Sequence, residues 1–195
     1  MVRFRRSRVA FATAFLCTIC PAWPNAFAAA SSPSAATPTH AQHAHVHDVA
    51  RLGIAVQDKT LTVQLESPLD SLIGFEHRPT TPAQKAAVSA LQAAMHAPKD
   101  LFRFDAAAAC VLTKSEAESA VFQPPEAGAA AADDHADLDA SFEFRCANPA
   151  RLTVVETNLF IAYPRLKRLA VDVATGRGQF KRELTNPQRT ISLMR

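Results

Sequence analysis

The sequence predicts a single α+β domain: a largely antiparallel β-sheet of about seven or eight strands, with one main helix and at most a short second one. Three observations carry this. Apolar residues alternate with polar ones in several segments of strand length. A single stretch combines a helix start with helical apolar spacing. Setting aside the N-terminal segment and a linker leaves about 155 residues, enough for one core.

Residues 1–28 read as a signal peptide. Arg3, Arg5, Arg6 and Arg8 form a basic start, VAFATAFLCTI is an apolar run too short to span a membrane, and Ala26-Phe27-Ala28 has the small-x-small form of a cleavage site. This predicts export to the periplasm and no membrane span after cleavage; an uncleaved anchor is the alternative. Leu16 and Ile19, before Cys17 and Cys20, are too large for a lipoprotein signal. The whole chain carries 21 basic and 18 acidic residues; losing four arginines leaves 17 against 18, a net of −1. The basic character therefore belongs to the signal. No basic patch with interleaved aromatics remains to suggest nucleic-acid binding. Cys17 and Cys20 leave with the signal, so their C-x-x-C spacing is not a redox or zinc motif. Cys110 and Cys146 remain, and an even pair in an exported protein argues for one disulfide. A pair of metal thiolates is the alternative.

Residues 29–42, rich in Ala, Ser, Pro and Thr, predict a flexible linker, and 43–195 the domain. In VARLGIAV the apolar positions are even, Ala50 to Val56; in LTVQL they are odd, Leu61 to Leu65. A two-residue turn at Asp58-Lys59 puts both sets on one face, with Gln57 opposite Thr60, Ile54 opposite Val63 and Leu52 opposite Leu65. Extending that register puts His47 near Asp70. Residues 67–79 read as a loop. Thr81-Pro82-Ala83-Gln84 is a helix start, with Thr as N-cap, Pro at the first position and Gln three residues after the cap. Val88, Leu91 and Met95 then share one face until Pro98. Phe102 and Phe104 precede a short turn and a strand from Cys110. Residues 120–134, with two prolines, a glycine and an alanine run, predict an exposed insertion loop. HADLDASFEFRC is the clearest strand, with Leu138, Ala140, Phe142, Phe144 and Cys146 on one side. If Cys110 and Cys146 bridge neighbouring antiparallel strands, His135 lies at the far end, beside the insertion. Residues 152–159 predict a strand, 160–168 at most a short helix around Pro164, and Leu169–Leu184 a hairpin turning at Thr175-Gly176. Ile191 and Leu193 suggest a terminal edge strand.

No G-x-S-x-G, P-loop or G-x-G-x-x-G motif occurs, and five glycines leave little for phosphate cradles. The histidines are the informative residues. His43, His45 and His47 are spaced by two and share one side of an extended segment; His77 follows the hairpin and His135 starts a strand. Neutral imidazole binds zinc, copper and nickel well, and three histidines with a carboxylate can complete a four-coordinate zinc site. Asp70, Glu76, Asp133, Asp134 and Asp137 are the candidate carboxylates, as ligands or as partners that orient the ligands. The competing readings are a solvated histidine tether without a defined site, a structural or interaction module with incidental histidines, and a zinc hydrolase with Glu76 as base. His96, in a helix's last turn, suits the helix dipole and is left out of the site.

From about His43 onward the chain resembles the ZrgA-type periplasmic zinc-binding family. The matching text is HVHDVARLGIAV, LTVQLESPLDSLIGFEH, the Cys110/Cys146 pair, HADLDASFEFRC and LFIAYPRLKRLAVDV. The resemblance implies an exported zinc-binding protein connected with zinc acquisition, with Zn²⁺ and a periplasmic zinc uptake system as the expected partners; it does not imply an enzyme. It supports His45, His47, His77 and His135 as ligands. Asp137 joins them as the nearby carboxylate, with His43, Glu76 and Asp70 as weaker candidates. Other divalent transition metals fit the same donors. Where many relatives carry a His/Asp-rich run before H-A-D, this chain has AGAAAADD, which keeps only Asp133 and Asp134.

Overall fold

Val49–Gln57 (β1) and Thr60–Pro68 (β2) form the hairpin at the centre of the fold. The register is the one the alternation requires: Leu52 faces Leu65, Ile54 faces Val63 and Gln57 faces Thr60. Asp58 makes the turn at φ 53°, a left-handed conformation that Asp tolerates better than most residues. The computed structural model describes residues 48–123 and 136–194.

Cys110–Glu118 (β4), Asp137–Cys146 (β5), Arg168–Thr175 (β7) and Gly178–Thr185 (β8) extend the hairpin into a six-stranded sheet in the order β4-β5-β2-β1-β7-β8. Only the β1–β7 pairing is parallel within it. Phe102–Phe104 (β3), Val154–Thr157 (β6) and Thr190–Ser192 (β9) make a second sheet in the order β3-β6-β9. Three helices complete the described residues: Leu69–Ile73 (α1), Pro82–His96 (α2) and Leu159–Ala162 (α3).

The α+β class stands, with more parts than the pattern suggested. β3 has three residues, too few for period 2 to show. The stretch after β2 that reads as loop begins with α1, whose five residues are too short for a 3.6-residue period. Its local signals are nonetheless present: Pro68 precedes it, Asp70 sits in its first turn, and Gly74 follows at φ 86°. Ala120–Phe122, at the head of the expected insertion, is a 3₁₀ turn that buries Val121. Residues 124–135 of that insertion lie outside the described residues.

Both small elements and α2 cover one face of the large sheet. That face is built from Leu52, Ile54, Leu61, Val63, Leu65, Leu138, Phe142, Leu169 and Val171, all buried. On α2, Val88, Leu91 and Met95 are buried, as their spacing demands, and the Ser115 hydroxyl donates to the Met95 carbonyl at 2.6 Å. The second sheet brings the Phe102 ring to 5.5 Å from Phe142 and Phe104 to 4.7 Å from Phe144, edge to face. The opposite face carries Arg51, Gln64, Glu66 and Lys181 into solvent, the ordinary arrangement for a sheet packed on one side.

Two cross-links hold the periphery. Cys110 and Cys146 lie opposite each other on β4 and β5 and are joined by a disulfide, so they are not free thiolates. Asp105 accepts the backbone N–H of Thr153 at 2.6 Å, the Thr153 hydroxyl at 2.9 Å and the Val154 N–H at 3.0 Å, fixing the entry to β6.

Candidate metal site

Four chain positions meet at one end of the large sheet, around α1. β1 enters there, β2 leaves, and β5 and β7 begin. The Asp48 N–H donates to the Ser71 hydroxyl at 3.1 Å, and the Asp48 carbonyl accepts from the N–H groups of Lys167 and Arg168 at 2.9 and 3.0 Å. Asp48 is held at φ 68° by these three bonds. On the other side of α1 the Leu69 N–H donates to the Ala136 carbonyl at 3.0 Å, and Asp137 pairs with Pro68. Asp48 is the covalent neighbour of His47, and Ala136 that of His135. The two attachment points are thus tied to the same five-residue helix.

Asp70 projects from α1 toward Arg165. The guanidinium donates from Nε to the Asp70 carbonyl at 2.9 Å and from Nη2 to both carboxylate oxygens at 3.0 and 3.2 Å. It also lies over Gly74, where a Cβ would sit 3.5 Å from Arg165 Cδ. A carboxylate already bound this way is a poorer metal ligand, because a cation must compete with the guanidinium.

His77 follows three residues after Gly74 and is exposed, its ring 5.3 Å from that of Phe75. Its Nδ1 is 2.8 Å from the Arg78 carbonyl oxygen. A carbonyl only accepts, so in the neutral ring the proton sits on Nδ1 and Nε2 presents its lone pair. Histidines that bind metals commonly donate their other nitrogen to a carbonyl in this way. Nε2 faces Nε2 of Gln84 at 3.5 Å. The orientation of that amide is set by its oxygen, which accepts from the N–H of Thr80 at 3.0 Å, the Thr80 hydroxyl at 3.0 Å and the Thr81 N–H at 3.1 Å. Arg78, next in the chain, donates to the Gln123 carbonyl at 2.8 Å.

Of the residues expected to ligate, His43, His45, His47 and His135 lie outside the described residues, as do Asp133 and Asp134. His77, Glu76, Asp70 and Asp137 are described, and among the described residues no three His, Cys, Asp or Glu side chains gather as a metal-binding group. His96 sits in the last turn of α2. Ser71, Gln84 and Arg165 were not singled out as site residues from the sequence. For Gln84 the signal was in view: it is the far half of the T-P-A-Q capping box, and its second amide atom has to point somewhere.

The family model described as ZrgA family zinc uptake protein matches residues 44–193. The chain belongs to the ZrgA family. The match takes in His45, His47, His77 and His135 and stops short of His43. It covers every element described above, from β1 to β9. Membership in the ZrgA family gives the protein a zinc-related role, and the family is one of uptake proteins and not of enzymes. No curated protein matches the chain. Among the described residues no helix is long and apolar enough to cross a membrane.

Proposed function

We propose that the protein is a periplasmic zinc-binding protein that captures or buffers Zn²⁺ and passes it to a zinc uptake system. In this reading residues 1–28 direct export, 29–42 are a tether, and 43–195 bind the metal. The ligands are His77 and His135, completed by His45, His47 and Asp137, with His43, Glu76 and Asp70 less favoured. Zinc is cargo here, and nothing in the reading requires catalysis.

The observation that carries the reading is the His77 ring. Its Nδ1 is committed to the Arg78 carbonyl, which leaves Nε2 as the donor atom at an exposed position. Three further facts support it. Family membership points to zinc. The disulfide fits an oxidising compartment. The residues adjoining His47 and His135 are both anchored to α1.

Calorimetric titration of Zn²⁺ into the exported protein and into a His77→Ala/His135→Ala variant tests the proposal. The expected result is weaker binding in the variant, with the high-affinity step lost. Equal affinity in both contradicts a site built by the fold.

A further inference from the structure

We propose that Gln84 sets the affinity of His77 for metal, by holding its amide NH₂ over the lone pair a metal ion would take. The inference rests on the reading of His77 as a ligand and extends it to a residue on a different element.

The geometry leaves the amide little choice. Its oxygen is taken by three donors, Thr80 N–H, Thr80 hydroxyl and Thr81 N–H, at 3.0, 3.0 and 3.1 Å. The Gln84 N–H in turn donates to the Thr81 hydroxyl at 3.2 Å, which closes the capping box of α2. The side chain is thus fixed from its oxygen end, and its NH₂ group faces His77 Nε2 at 3.5 Å. The imidazole is fixed from its opposite end by the Arg78 carbonyl at 2.8 Å. Two anchored groups face each other across a long hydrogen bond.

A zinc ion bound to imidazole lies about 2.0–2.1 Å from nitrogen, along the lone pair. The Gln84 NH₂ is a donor with no lone pair to offer. Metal and amide compete for one atom. Capture at His77 therefore requires the Gln84 side chain to swing aside and give up its bonds to Thr80 and Thr81. Binding is opposed by part of the N-terminal cap of α2, and loading loosens the start of that helix.

The consequence has an unusual sign. Removing a side chain that merely supports a site weakens binding; removing this one strengthens it. Gln84→Ala abolishes the competitor and the side-chain half of the capping box together, while the backbone N–H of residue 84 still reaches the Thr81 hydroxyl. Zinc binding is expected to tighten about two- to tenfold, the worth of one hydrogen bond, while the melting temperature of the metal-free protein falls. Gln84→Glu keeps an acceptor for Thr80 and Thr81 and replaces the donor by a carboxylate. It is expected to hold the metal-free melting temperature and to bind zinc more tightly than Gln84→Ala.

The test is calorimetric titration of Zn²⁺ into the exported protein, with His77→Ala, Gln84→Ala, Gln84→Glu and each Gln84 change combined with His77→Ala. The expected result is tighter binding in both Gln84 variants, with the gain abolished once His77 is alanine. Unchanged or weaker binding in either Gln84 variant overturns the inference while leaving His77 a ligand. A gain that persists without His77 also overturns it. If His77→Ala alone leaves the affinity unchanged, the reading beneath it fails, and the inference with it.

Discussion

The backbone N–H of Asp48 donates to the hydroxyl of Ser71 at 3.1 Å, although the two are separated by 23 residues of sequence. Ser71 is fully buried and Asp48 exposed, so the bond runs from the surface into the interior and is part-buried. Through it the first residue of the described domain is locked to α1. Ser71→Ala removes the Asp48 amide's partner and is expected to lower stability by about 0.5–1.5 kcal/mol, the net worth of one hydrogen bond. Urea denaturation followed by circular dichroism measures this; an unchanged midpoint contradicts the role given to the pair.

The Cys110–Cys146 disulfide closes a loop with a sequence separation of 36. On the chain-entropy argument it stabilises the fold by about 3–4 kcal/mol. A Cys110→Ser/Cys146→Ser variant is therefore expected to melt roughly 6–16 °C lower, at the 2–4 °C per kcal/mol typical of this chain length. Wild-type protein melted in reductant is expected to approach the variant. A difference of less than a few degrees contradicts the assignment.

Acid sensitivity has one identifiable source at Asp105. The backbone N–H of Thr153 holds its carboxyl below the usual value of 3.8, burial opposes this, and the Thr153 hydroxyl and Val154 N–H add to the lowering. A carboxylate with a lowered folded-state pKa contributes stability above its unfolded pKa and loses it as pH falls through the folded value. Wild type is expected to be more stable than Asp105→Asn at neutral pH, with the gap closing below about pH 4. Thermal melts of both proteins between pH 7 and pH 2 check this. A gap that stays constant across the range contradicts the assignment.

Zinc is expected to raise the melting temperature of the protein. A ligand that binds the folded state alone stabilises it by about 2.7 kcal/mol at a hundred times its dissociation constant. Differential scanning fluorimetry with Zn²⁺, against an EDTA control, reads this directly. No rise favours the rival in which the histidines are incidental.

Much of the scaffold was legible because it follows from period 2. The parity of Leu52, Ile54, Leu61 and Val63 allowed a single register, and that register is the one found. The Cys110–Cys146 pairing followed from an even cysteine count, and the start of α2 from its capping box. What escaped was short or non-local. β3 and α1 are too brief to show a period. The parallel pairing of β1 with β7 joins segments more than a hundred residues apart, and nothing in either strand's own pattern names its neighbour.

For the candidate site the sequence offers residue types and only part of an arrangement. Extending the hairpin register placed His47 beside Asp70, and the Asp48–Ser71 bond ties the adjoining residue to that same helix. No spacing rule could show that Arg165 occupies Asp70, since the two are 95 residues apart. Nor could one show that the second atom of a capping glutamine faces His77.

The most direct test of the central claim is an anomalous difference map, recorded at the zinc edge, from crystals of the protein soaked in Zn²⁺. One strong peak is expected near α1, with His77 Nε2 and a ring nitrogen of His135 each about 2.0–2.1 Å away. A map with no peak at His77, or with zinc bound only by histidines preceding Asp48, contradicts the claim.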